Sequence, residues 1–196
     1  MSKKASAKLE QELDAQGLVV QKYTSTVLVV VPKSGYAETT LRYARSALFN
    51  VHVGTRCVST DDQAMIFGEF QDELQADERL SSATALEPYS GLILCGGPGV
   101  VDLADHADVL RLTREAAAQG KLVAAWGRSV AVLAKAGIVR RKRVTGDPSL
   151  REMLEASGAR YTGAQVQVDG KLVTAFDDAA GLRFGKALAQ IVRIGS

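Results

Sequence analysis

The stretch from Lys121 to Gly137, KLVAAWGRSVAVLAKAG, constrains this chain more than any other. Five apolar residues end abruptly at Gly127, and a run of small apolar residues with helical spacing follows. A buried strand that turns sharply into a helix is the setting of a nucleophile elbow, where a strained residue holds a reactive side chain above the sheet. The residue at this elbow, Gly127, has no side chain. The scaffold of an active site is written here without the group that would do the chemistry.

The rest of the chain supplies the sheet such an elbow needs. Thr26–Val31 (TVLVVV) is a continuous β-branched and apolar run, the mark of a strand buried on both faces. Glu38–Phe49 reads as a helix with Leu41, Ala44 and Leu48 aligned. Val51–Val58 reads as a second strand, with His52 inside it. Residues 62–82 are irregular, a small ribbon and turn. Tyr89–Leu94 reads as a third strand, followed by the loop Cys95–Gly99. Asp108–Gln119 is a helix closed by Gly120, Pro148–Ala156 a helix stopped by Gly158, and Asp178–Val192 a final helix. Gln165–Val168 and Leu172–Thr174 flank Asp169-Gly170, a strong hairpin signal. Repeated βα units imply an α/β three-layer sandwich around a central, mostly parallel sheet, flavodoxin-like or amidotransferase-like. Sites on such sheets lie beyond the carboxyl ends of the strands. The loops at 32–38, 95–100, 126–130 and 145–148 are therefore expected to meet.

Composition narrows the class. Hydrophobic content of 46% with 23% charged residues is that of a globular domain. A net charge of +2 does not suggest a nucleic-acid binder. The basic run Arg140–Arg143 falls in a helix-to-strand connection, without aromatic neighbours for stacking bases. No apolar run is long enough to span a bilayer, and the lysines near the N-terminus precede no apolar stretch. The chain is expected to be cytoplasmic, with no membrane and no nucleic-acid partner. Residues 1–24 read as a partly helical extension, with Ala5, Leu9 and Leu13 on one face, and 25–193 as one domain. Two cysteines, Cys57 and Cys95, and two histidines, His52 and His106, are too scattered for a disulfide framework or a metal site. No metal and no cofactor is expected.

Three segments, YSGLILCGGPG, KLVAAWGRSVAVLAKAGIVRRKRVTGDPSL and GARYTGAQVQVDGKLVTAF, resemble the ThiJ/PfpI superfamily, which has the class I glutamine-amidotransferase-like fold. Its patterns are a strand ending in P-G-G, an elbow A-I-C-H-G, a following A-G-L-L-x-G-x-x-V-T and a late V-V-x-D-G-x-L-x-T-S. They occur here in order and spacing over roughly residues 25–193. The resemblance implies a homodimer. It also implies proteases, deglycase- and glyoxalase-like enzymes, chaperone-like activities or noncatalytic members.

The departures from those patterns matter most. The resemblance places Gly127 at the nucleophilic cysteine and Arg128 at the histidine that follows it. The family's first loop carries G-F-E, whose glutamate bonds the cysteine; here the loop reads Gly35-Tyr36-Ala37. Another branch has histidine before the proline that follows the V-T strand; here that residue is Asp147. Ala37, Gly127, Arg128 and Asp147 thus form a vestigial site with no catalytic residue. A thiolate needs the sulfur and neighbours that favour its charged form. Loss across separate loops argues for a noncatalytic protein, binding a small anion or serving as a stress-associated interaction module.

Three further readings stay open. Gly127-Arg128-Ser129-Val130-Ala131 is close to G-x-S-x-G, which would make Ser129 a nucleophile in a rebuilt glyoxalase, deglycase or amidase-like site; a small first-turn helix residue is the simpler reading. The amides near Gly97 and Arg128, with the Arg128 charge, would favour an anion. Against that, Arg128 is expected to pair with Asp147 or Glu38. Glu38, Gly97, Arg128 and Ser129 are the ligand-binding candidates. Trp126 reads as core, partly filling the space above the elbow.

Overall fold

The computed structural model describes residues 22–60, 62 and 65–194. The helix expected over residues 5–16 lies outside them. The chain forms β1 (Ser25–Val31), α1 (Glu38–Phe49), β2 (Val53–Ser59), β3 (Met65–Phe67), β4 (Glu73–Gln75), β5 (Glu78–Arg79) and β6 (Gly91–Leu94). Then come α2 (Ala107–Ala118), β7 (Leu122–Trp126), α3 (Val130–Lys135), β8 (Arg143–Val144) and α4 (Arg151–Ala156). The chain continues through β9 (Arg160–Tyr161), β10 (Val166–Asp169), β11 (Leu172–Ala175) and α5 (Gly181–Ile194).

Seven strands form one sheet in the order β10-β11-β7-β6-β1-β2-β5. Every neighbouring pair runs parallel except the β10–β11 hairpin. The β-branched run of β1 explains its central place. Val27, Val29 and Val31 point into one core layer, with Leu41, Ala44 and Leu48 of α1 and Phe184 and Leu188 of α5. Leu28 and Val30 point into the other, with Val109 and Leu112 of α2, Leu133 of α3 and Leu154 of α4. A period of two on a strand covered on both sides gives an unbroken apolar sequence. The fold is thus the expected three-layer α/β sandwich around a mostly parallel sheet.

Local differences from the sequence reading have local causes. His52 does not sit inside β2; it has φ +60° in the turn that enters it, its amide bonded to Phe49 O at 3.0 Å. β6 begins at Gly91 rather than Tyr89, because Tyr89 N closes a turn on Leu86 O at 3.0 Å. The loop after β6 winds into a 3-10 helix, Pro98–Asp105, and 3-10 turns precede α3, α4 and α5 at Gly127–Ser129, Pro148–Leu150 and Asp178–Ala180. The irregular 62–82 region resolves into the antiparallel ribbon β3–β4 and the edge strand β5. β8, at the start of the V-T strand that the resemblance places before Pro148, pairs in parallel with β9, which had no sequence signal. Among the described residues, no helix is long and apolar enough to cross a membrane.

Candidate functional site

At the carboxyl edge of the sheet, backbone hydrogen bonds fasten the loop after β1 to the loop after β6, and the turn after β7 to the segment after β8. Ala37 N donates to Gly96 O at 2.8 Å, Gly99 N to Gly35 O at 3.0 Å, and Asp147 N to Gly127 O at 3.3 Å. Gly97 makes this closure possible. It has φ +120°, and a Cβ there would lie 2.4 Å from Gly35 O and 2.6 Å from Ala37 N. Only glycine lets the two loops approach so closely.

The elbow itself has the expected geometry. Trp126 ends β7 in extended conformation (φ −140°, ψ 155°), and Gly127 turns the chain with φ +59°. A Cβ built on Gly127 meets nothing within 4 Å. The direction in which an elbow side chain would project is therefore open. It opens into a cavity of about 250 Å³ lined by Ala37, Gly97, Pro98, Trp126, Gly127 and Arg128, together with Glu69, Asp147, Asp177 and Asp178. Ala37, Gly97, Gly127, Arg128 and Asp147, all singled out from the sequence, meet here.

The other two sequence candidates do not line it. Ser129 is fully buried. Its hydroxyl lies 2.9 Å from Trp126 O and 3.1 Å from Leu94 O, and accepts from Trp126 N at 3.2 Å. A serine sealed in that way ties the turn to two strands and can neither attack nor bind a ligand. Glu38 is buried at the start of α1. One of its oxygens accepts from Phe70 N at 2.6 Å and Asp72 N at 3.3 Å, holding the turn between β3 and β4. The other is buried without a partner.

Arg128 pairs with Asp147, Nε to Oδ2, at 3.4 Å, and not with Glu38. Asp147 also caps the following 3-10 turn, accepting from Ser149 N at 2.9 Å and Ser149 Oγ at 2.6 Å. Burial pushes the Asp147 carboxyl up, but the Ser149 bonds and the Arg128 charge outweigh it and hold it below its ordinary 3.8. Four acidic residues thus line the cavity, against one guanidinium that is already paired. That balance opposes the small anion expected from Arg128 alone.

Glu69, Asp177 and Asp178 were not anticipated. Asp177 caps the 3-10 turn before α5, accepting from Ala179 N at 3.0 Å. Asp178 accepts from Thr40 N at 2.8 Å, joining the 3-10 turn before α5 to α1. Glu69 comes from the irregular ribbon, where no pattern marks a site.

Trp126 is core, as expected. Its ring tilts against Phe184 at 5.4 Å, the residue lines the cavity, and its indole nitrogen is buried without a partner. Neither histidine nor cysteine lines the cavity. Cys57 and Cys95 are both buried and unbridged. Burial pushes the Cys57 thiol up to about 11 and the Cys95 thiol well above its ordinary value. Among the described residues, no three His, Cys, Asp or Glu side chains are grouped to hold a metal ion.

Comparison with known proteins agrees with this architecture. A ThiJ/PfpI domain protein from Brachyspira murdochii superposes with a TM-score of 0.83 at 20% identity, over 89% of this chain and 99% of that one. DJ-1beta from Drosophila melanogaster gives 0.76 at 22% identity, over 85% and 89%. In sequence, an isonitrile hydratase from Pseudomonas putida is 33% identical over 100 residues, 50% of this chain and 44% of that protein. An uncharacterised protein from Methanocaldococcus jannaschii is 34% identical over 92 residues, 45% of each. The chain spans about half the length of the curated relatives it matches. The pattern of the DJ-1/PfpI family matches residues 25–191, which take the fold of its solved members, and the chain belongs to the DJ-1/PfpI family.

Proposed function

We propose that this protein is a recognition member of its family, holding a small molecule at the elbow cavity without a thiolate nucleophile. The observation that carries this reading is Gly127, at the elbow with φ +59°, with open cavity where a side chain would project. Covalent catalysis needs a nucleophile within reach and a group to activate it. Cys57, Cys95 and Ser129 are buried away from the cavity, so none of them supplies one. The excess of carboxylates favours a ligand that carries positive charge or several hydrogen-bond donors.

Calorimetric titration with small alkylammonium ions, and with phosphate, sulfate and acetate, tests the ligand class. The alkylammonium ions are expected to bind more tightly. Anion binding that is lost in Arg128→Ala would instead restore the anion reading. The family resemblance also supports a homodimer. Tyr43 and Leu182, on adjoining helices and about half exposed, are apolar surface that such a pairing would cover; sedimentation velocity checks it.

A second reading, an enzyme with a rebuilt site, is favoured by the likeness to an isonitrile hydratase. It would have to work by acid–base chemistry from the cavity carboxylates. Turnover abolished by Asp178→Asn or Asp147→Asn would support it.

A further inference from the structure

We propose a second binding site at the opposite, amino-terminal end of the sheet, taking a small carboxylate with an apolar body. A cavity of about 370 Å³ lies there, within the range of roughly 300–1,000 Å³ usual for small-molecule sites. It is independent of the elbow cavity. Val123 lines it and Trp126 lines the other, three residues apart on β7, roughly 10 Å of extended strand.

The walls and the rim differ in character. Val123 and Leu172, both buried at the start of their strands, form the floor, with half-buried Ala117 and Ile138 beside them. Three lysines, Lys121, Lys142 and Lys171, stand around them with one carboxylate, Asp169. A lysine lays its alkyl stem along apolar surface and keeps its ammonium at the edge, so these residues add both wall and charge.

The charges do not cancel. Asp169 is already engaged by Lys142 Nζ at 3.1 Å and by Arg143 N at 2.9 Å. Those contacts, with the hydrogen bond from the Arg143 amide foremost, hold its carboxyl below the ordinary range. Lys121 Nζ donates to two neutral carbonyls, Leu86 O at 2.8 Å and Glu87 O at 3.2 Å, which leave its charge unneutralised. The Lys171 carbonyl accepts from Val123 N at 3.0 Å, but its ammonium makes no hydrogen bond or ion pair with the described residues. The hairpin turn at Gly170-Lys171 sets Lys171 on the rim two residues after the engaged aspartate. An apolar floor under an uncompensated cationic rim matches an apolar anion: the body covers Val123 and Leu172 while the carboxylate meets Lys171 and Lys121.

Octanoate is a suitable probe, with octylamine and octanol as controls of the same length. Calorimetry on the full chain should show saturable octanoate binding and at least tenfold weaker binding of both controls. Lys171→Glu, at an exposed turn residue, should weaken octanoate about tenfold. Ala117→Phe, which fills the cavity, should abolish binding. In amide NMR spectra, octanoate should move Gly120, Ile138 and Lys171 and leave Gly97, Gly127 and Arg128 in place. Absence of saturable octanoate binding would overturn the proposal. So would equal binding of octylamine or octanol, unchanged affinity in both variants, or shifts centred on Gly127.

Discussion

Arg128 Nε lies 3.4 Å from Asp147 Oδ2, so the charge that would draw an anion to the elbow is spent on a neighbour within the cavity wall. Arg128 is more than half exposed, and such pairs contribute less than about 1 kcal/mol. Arg128→Ala should therefore leave the melting temperature nearly unchanged. Asp147 has the larger role because it also caps the turn through Ser149. Its folded-state pKa is lowered, so its contribution is present above the unfolded value of 3.8 and is lost as pH falls through the lower folded value. Asp147→Asn should be less stable than wild type at pH 6, and the gap should close as the pH is taken below 3.8. Urea titrations across that range measure it; a constant gap would contradict the assignment.

Ser129 offers a second check, because its hydroxyl serves only the backbone. Ser129→Ala leaves the buried Trp126 amide without its acceptor. A buried donor stripped of its partner costs about 1–3 kcal/mol. The variant should lose that much stability in denaturant unfolding and keep wild-type ligand affinity. Loss of affinity without loss of stability would mean that the serine reaches a ligand.

The cysteines should be silent in the native state. Both are buried, and burial holds both thiols protonated well above neutral pH. Iodoacetamide at pH 8 should label neither in the folded protein and both after unfolding in guanidinium. Native labelling at Cys95 would show that the loop after β6 opens.

The strands were legible where burial is two-sided. The run from Thr26 to Val31 and the stretch ending at Trp126 are both apolar without alternation, and both are central strands. The elbow was legible because a strand, a glycine and a small-residue helix follow one another without a gap. Ala37, Gly97 and Asp147 lie on three separate loops that a parallel sheet already gathers at its carboxyl edge, and the family resemblance singled out these residues within them. Glu69, Asp177 and Asp178 escaped because their local roles, a ribbon turn and helix caps, look the same whether or not a cavity lies above them. Glu38 misled for the opposite reason. Its charge at a helix start suggests a ligand, yet its carboxylate is turned onto Phe70 N and Asp72 N. Only long-range placement of the 68–72 turn reveals that.

Gly127 ties stability to function. At φ +59° a residue with a Cβ costs about 1–2 kcal/mol, and no steric clash adds to that here. Gly127→Ala and Gly127→Cys should both fold, each destabilised by about that amount in urea unfolding. A larger loss would mean that the space above the elbow is not open. The introduced thiol, projecting into the cavity, should alkylate in the native state, unlike Cys57 and Cys95.

The most direct test is turnover by the wild-type chain. Purified protein should consume methylglyoxal, a glycated thiol, a peptide amide and an alkyl isonitrile no faster than buffer does. Gly127→Cys should remain inactive, because Ala37 and Arg128 supply neither a hydrogen-bonding carboxylate nor a base for the new sulfur. Saturable turnover of any of these substrates by wild type, abolished by a single substitution among the residues that line the elbow cavity, would contradict a recognition role.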